Sequence, residues 1–102
     1  MPAIVVTVEI HLPGARSLKD KRRIVKSLKD KVHNRYRVSI AEIDHHELRQ
    51  SAKIGIAAVA PSHGHLGEIM ASIRGLFDQR PDLIVSRWSE ETVALGYLES
   101  TS

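Results

Sequence analysis

Residues 16–37, RSLKDKRRIVKSLKDKVHNRYR, decide the fold, because they read as one amphipathic helix set between segments that alternate like strands. Ser17 is a good N-cap, and Asp20 three residues on makes a capping-box-like pair whose carboxylate suits the positive end of a helix. On a wheel of about 100° per residue, Leu18, Ile24, Val25, Leu28, Val32 and Tyr36 fall within one sector of about 120°. Lys19, Arg22, Arg23, Lys26, Lys29 and His33 fill a second sector roughly opposite the first. Lys21 lies on the apolar side in the first turn, where its stem is expected to overhang the sheet edge while its ammonium snorkels to water.

The segment holds ten of the fifteen Lys and Arg residues against only Asp20 and Asp30, a net charge of +8 that leaves −5 on the other eighty residues. The chain is polarised well beyond its overall +3. The helix contains no Glu, so the usual Glu–Lys support four residues apart is absent. Like charges at that spacing, such as Arg22 with Lys26, cost about 0.2–0.5 kcal/mol per pair. A face without countercharge is therefore expected to meet an external anion, nucleic acid first, with Arg16, Lys19, Arg22, Arg23, Lys26 and Lys29 as the candidate contacts. The plainer alternative is a solvated face neutralised by the acidic remainder of the chain, by a second subunit, or by an acidic protein on which the helix docks.

Working outward, Ala3–Leu12 alternates with a period of two and predicts a strand, with Ile4, Val6, Val8, Ile10 and Leu12 on one face. Pro13-Gly14 turns the chain into the helix. Beyond the helix, Arg37–Asp44 and Ala52–Ala60 read as a second and a third strand, joined closely enough to be antiparallel. In the second strand Val38, Ile40 and Glu42 share a face and Ile43 takes the other, which a bulge near Ala41 would reconcile. Pro61-Ser62 opens a second helix, with Leu66, Ile69, Met70, Ile73 and Phe77 at helical spacing and Pro81 as the stop. Leu83–Trp88 is a fourth strand, and Thr92–Leu98, reached through a turn at Ser89-Glu90-Glu91, is a candidate fifth. The order β-α-β-β-α-β is that of a single α+β domain of ferredoxin-like split β-α-β type, an antiparallel sheet with two helices on one face and strands one and three central. Its other face stays open, and Val5, Ile43 and the region of Trp88 would there favour a second subunit over water. A homodimer through that face or an edge strand is expected.

One hundred and two residues make one domain with a modest core. The absence of cysteine excludes a disulfide scaffold, thiol chemistry and Cys-type zinc sites. No apolar run approaches a membrane span and the start MPAIVVTVEIHL lacks a positive leader, so a soluble, cytoplasmic protein without membrane contact is expected. A single Asn, two Gln and two Met beside 26% charged residues fit a thermophilic source.

Six histidines raise the question of a metal, but adjacent His45 and His46 on an extended chain point to opposite sides, and no metal site or cofactor is expected. Glu42, Asp44 and His45 form a candidate polar cluster, with Glu9 or His11 as acid–base partners across the open face. No nucleophile motif, Walker loop or GxGxxG occurs, so the chain is read as a non-enzyme.

The run from Leu12 to His45, LPGARSLKDKRRIVKSLKDKVHNRYRVSIAEIDH, followed by IGIAAVA, resembles the YlxP-like family of small bacterial proteins classed as a domain of unknown function. Its distinctive stretches correspond to Ser17–Arg23 and Ala41–His45, and Leu48 stands where the family's pattern often carries a tryptophan. The resemblance implies a ferredoxin-like domain, with genes often near those for transcription elongation, translation initiation and ribosome maturation, and hence an RNA or a ribosomal particle as partner. Base stacking on the sheet, as in RNA-recognition domains, would need aromatics on strands one and three. The outward residues expected there are Thr7, Glu9, Lys53, Gly55 and Ala57, none of them aromatic. Contact through the phosphate backbone remains, which implies salt-sensitive binding with little sequence preference.

Overall fold

The first strand, β1 (Pro2–His11), buries Ile4, Val6, Val8 and Ile10 and leaves Ala3, Val5, Thr7 and Glu9 on its other face. The computed structural model describes residues 1–94, with Ala94 as backbone alone. After β1 come α1 (Leu18–Arg35), β2 (Ser39–Asp44), β3 (Ser51–Val59), α2 (His63–Asp78) and β4 (Ile84–Ala94). The sheet runs β2-β3-β1-β4, antiparallel at every pairing, so the two most apolar strands are central. This is the α+β, ferredoxin-like arrangement that the element order predicts.

Both helices cover the same sheet face. Val25, Leu28 and Val32 of α1 and Leu66, Met70, Ile73 and Phe77 of α2, spaced three and four apart, close over Ala52, Ile54, Ile56 and Ala58 of β3 and the inward side chains of β1. Each helix is fastened, at or just past its C-terminus, to the middle of the other. The Tyr36 hydroxyl, at the C-cap of α1, shares a hydrogen bond with Ser72 Oγ of α2. Arg80 grips Asp82 with two hydrogen bonds of 2.9 and 2.7 Å and reaches Ser27 Oγ of α1 at 3.4 Å.

Three expectations need correction. Ser89-Glu90-Glu91 is not a turn: β4 runs straight through it, because β1 supplies partners from Val8, opposite Trp88, to Pro2, opposite Ala94. Charged residues suit such an edge strand. Thr92–Ala94 thus belongs to β4, and the remainder of the expected fifth strand lies outside the described residues. Trp88 is on the helix side, since it opposes inward-facing Val8; it packs edge-on against Phe77 at 5.8 Å with the Arg74 guanidinium 5.3 Å above its ring. The bulge of β2 is at Ile43, not near Ala41: Glu42 pairs with Ile54 and Asp44 with Lys53, leaving Ile43 as the extra residue. Ile43 consequently turns to the open face and lies over Gly55, where an added Cβ would come within 3.0 Å of its Cγ2. A second irregularity separates Glu9 from Ile10 in the pairing with β4, and there Ser86 Oγ donates to the Glu9 carbonyl at 3.0 Å.

The Arg80 clamp makes stability depend on acidity. The Arg80 hydrogen bonds, and after them the Arg80 charge, outweigh partial burial and hold the Asp82 carboxyl below its ordinary value of 3.8. A depressed folded-state value means that the stabilisation is complete above about pH 5 and is lost as the pH falls through that value. Asp82→Asn should therefore lower the denaturation midpoint near neutrality and flatten its fall in acid, the gap between the two proteins narrowing as the pH drops below the ordinary carboxylate range.

Candidate functional site

The helix α1 is defined at both ends by its own sequence. Ser17, in extended conformation, accepts the Asp20 amide at 3.1 Å, and Asp20 Oδ2 in turn accepts the Arg16 amide at 3.0 Å, one residue outside the usual reciprocal box. His33 and Arg35 occupy the last turn, where positive charge is favoured. Eighteen residues give a rod of about 27 Å.

Along it Arg16, Lys19, Arg22, Arg23 and Lys26 are exposed, as expected, while Lys29 is half-buried at the flank of the apolar stripe. The face is not free of acids. Arg23 meets Asp20 at 2.8 Å, and Lys26 meets Asp30 at 2.9 Å. On the helix wheel Asp30 falls inside the basic sector, between Lys26 and Arg23 and four residues beyond Lys26, so an aspartate supplies the pairing that no glutamate offers. Both cations remain about three-quarters exposed, and pairs of that kind are worth about 0–1 kcal/mol. Among the described residues, Arg16, Lys19, Arg22, Lys29, Lys31 and Arg35 have no carboxylate within salt-bridge distance. Arg22, Arg23, Lys26, Lys31 and Asn34 border a shallow hollow on the helix, and Lys31 and Arg35 continue into a groove against Gln79 and Arg80.

Lys21 contradicts the expected snorkelling. It is 1% exposed, and its Nζ reaches inward to the β2–β3 connection, donating to the carbonyls of His45 at 2.7 Å, Ser51 at 3.2 Å and His46 at 3.3 Å, with Glu42 Oε2 2.9 Å away. Three protons face four acceptors, so the hydrogen bonding is shared. The acceptors exist because the chain leaves regular pairing there: the bulge at Ile43 and the turn closed by Leu48 N on the His45 carbonyl at 3.0 Å free main-chain oxygens from the ladder.

The same geometry disperses the candidate polar cluster. Glu42 points inward to Lys21, while Asp44 is exposed and accepts the His45 amide at 2.8 Å. That hydrogen bond first, and then the neighbouring charges of His45, Lys53 and His46, hold the Asp44 carboxyl below its ordinary range. His45 has φ 65°, in the left-handed region, and its Nδ1 lies 3.1 Å from Ser51 Oγ. Glu9 and His11 lie on β1, and outward-facing Glu9 shares a shallow hollow of the open face with Thr7, Lys53, Arg87 and Ser89. Among the described residues no three His, Asp or Glu side chains are grouped to hold a metal ion, and no helix is long and apolar enough to cross a membrane.

The structure adds one cation that spacing along the chain does not reveal. Arg49 sits against the start of α1, its Nη1 3.5 Å from the Arg16 carbonyl, while Gln50 bonds the carbonyls of Pro13 and Ala15 at 3.3 and 3.2 Å. The hairpin loop thereby extends the positive surface past the helix N-terminus.

A family model described as "Protein of unknown function (DUF503)" matches residues 3–89. The uncharacterized protein YlxP of Bacillus subtilis (strain 168) is 33% identical over 75 residues, covering 74% of this chain and 82% of that protein. A de novo designed protein with a ferredoxin fold superposes with a TM-score of 0.51 at 18% identity, over 92% of this chain and 87% of the design. A dimeric ferredoxin-like protein from an uncultured marine organism has a TM-score of 0.46 at 7% identity, over 91% and 94% of the two chains.

Removing the ammonium leaves Glu42 and the loop carbonyls without their partner, so Lys21→Ala should cost about 3 kcal/mol or more by urea denaturation. At His45, glycine tolerates the left-handed backbone and valine does not. His45→Val should therefore be about 1–2 kcal/mol less stable than His45→Gly in the same assay.

Proposed function

The chain belongs to the DUF503 family of proteins of unknown function, and from that premise we propose that it binds structured RNA, alone or within a ribosomal particle, through the phosphate backbone. The observation that carries the reading is the set of exposed, unpaired cations Lys19 and Arg22 on the basic sector of α1, with Arg16 just before the helix and Arg49 beside it from the hairpin. Phosphates neutralise such a set without strain, and the two weak surface pairs of Arg23 and Lys26 exchange readily for a stronger anion. The guanidinium groups also match phosphate geometry with two donors each.

The open sheet face supports no base readout. Its central outward residues Thr7, Glu9, Lys53, Gly55 and Ala57 offer nothing for a base to stack on. Recognition is accordingly by shape and charge, with the buried lysine holding the hairpin, and Arg49 with it, against the helix.

Filter binding of a structured RNA at two or more salt concentrations tests this. Affinity should fall steeply with salt, and changing Lys19, Arg22 and Lys26 together to Gln should lower the slope of log K against log salt by about three units. The circular-dichroism spectrum should be unchanged. Equal affinity at low and high salt overturns the mechanism. Retention of an acidic polypeptide with none of RNA moves the same face to the alternative, a module that docks on acidic proteins.

A further inference from the structure

We propose that two copies of this chain associate through the open faces of their sheets, leaving both α1 helices on the outside. An antiparallel sheet with one face in water ordinarily places polar side chains there. Here the outward positions of the central strands at one end are Ala3, Val5, Ala57 and Val59, with Val93 of β4 beside Ala3 and, toward the middle of the sheet, Ile43 of β2 lying over Gly55 and sharing a hollow with Val5 and Ala57. Val5, Ile43, Val59 and Val93 are 46, 50, 58 and 45% exposed, a contiguous apolar patch and not scattered single residues. The edge strands add a polar rim, Ser39 on β2 and Glu91 on β4, which gives the face the layered anatomy of an association surface.

Gly55 shapes the centre of this patch. Because it has no side chain, Ile43 lies across β3 instead of standing out from the sheet, which lowers the relief that a second copy would meet.

Area and charge commit the face to a second copy. Strands of 10, 6, 9 and 11 residues set about 4.8 Å apart present roughly 570 Å² in projection, and more once side-chain relief is counted. With that relief the face approaches the roughly 800 Å² per partner of a stable interface. The charged residues outward on the described strands are Glu9, Asp44 and Glu91 against Lys53 and Arg87, a net of −1. A face so close to neutral barely repels its own copy and does not draw a polyanion, whereas the helix side, from a segment of net +8, does both. A two-fold axis in the sheet plane makes the contact self-complementary and closed, so association stops at two.

Sedimentation equilibrium or light scattering of the full chain tests the proposal. The expected mass is twice the 11.4 kDa of one chain. Val5→Asp with Val59→Asp should return the mass to one chain with an unchanged far-ultraviolet spectrum, and Arg22→Glu, on the outer side of α1, should leave it doubled. Should the double aspartate variant not fold, Ala41→Lys, at an exposed position on β2, applies the same test. A wild-type mass of one chain, or a folded open-face variant that keeps the doubled mass, overturns the proposal.

Discussion

A buried ammonium has to be surrounded by acceptors, and in this protein that requirement shapes everything around the β2–β3 connection. Leaving such a charge unmatched away from water costs several kcal/mol. Lys21 is 1% exposed and is met by Glu42 and the carbonyls of His45, His46 and Ser51. A regular hairpin would have spent those carbonyls on its own ladder. The bulge at Ile43 and the left-handed His45 are thus parts of one arrangement, in which the hairpin gives up regular pairing to solvate the lysine. The same bulge sends Ile43 to the far face over Gly55, so a single side chain of α1 influences both sides of the sheet.

The two faces differ in electrostatic character as a result of how the segments are laid down. Nearly all of the excess positive charge is on one helix, and that helix is fixed by capping at Ser17 and by its buried stripe. Asp20 and Asp30 temper the face without cancelling it, since each faces one cation at the surface and the other cations have no carboxylate near them among the described residues. The outward side of the sheet, by contrast, mixes both signs with apolar side chains. One domain therefore presents two surfaces of different character, one cationic and the other a mixture of apolar side chains and charges of both signs.

Much of the fold was legible because β1, β3, α1 and α2 each bury one face, and burial of one face writes a period into the sequence. What periodicity misread was decided by pairing. The triplet Ser89-Glu90-Glu91 has the composition of a turn, yet an edge strand tolerates it when the neighbour is long enough, as β1 is. The orientation of Trp88 follows from its register with Val8, which no local pattern states, so the sequence alone suggests the open face for a side chain that faces the helices. At the candidate site the exposed cations were visible in the helix wheel, as was Asp30 for a reader who placed aspartate as well as glutamate on it. Arg49 was not, since its approach to Arg16 is across 33 residues of chain. The wheel did put Lys21 on the core side; only the hairpin's departure from regular pairing explains why it can remain there.

Three of the four groups around the Lys21 ammonium are main-chain oxygens. Such a lock recognises the path of the loop and is nearly indifferent to the side chains on it. A change of side chain at His46, Glu47 or Leu48 accordingly alters what the tip displays and leaves the lock in place, whereas the lock itself needs the lysine, the Glu42 carboxylate and the kink that exposes the carbonyls. The hairpin tip is in this sense an interchangeable fitting on a permanent mount.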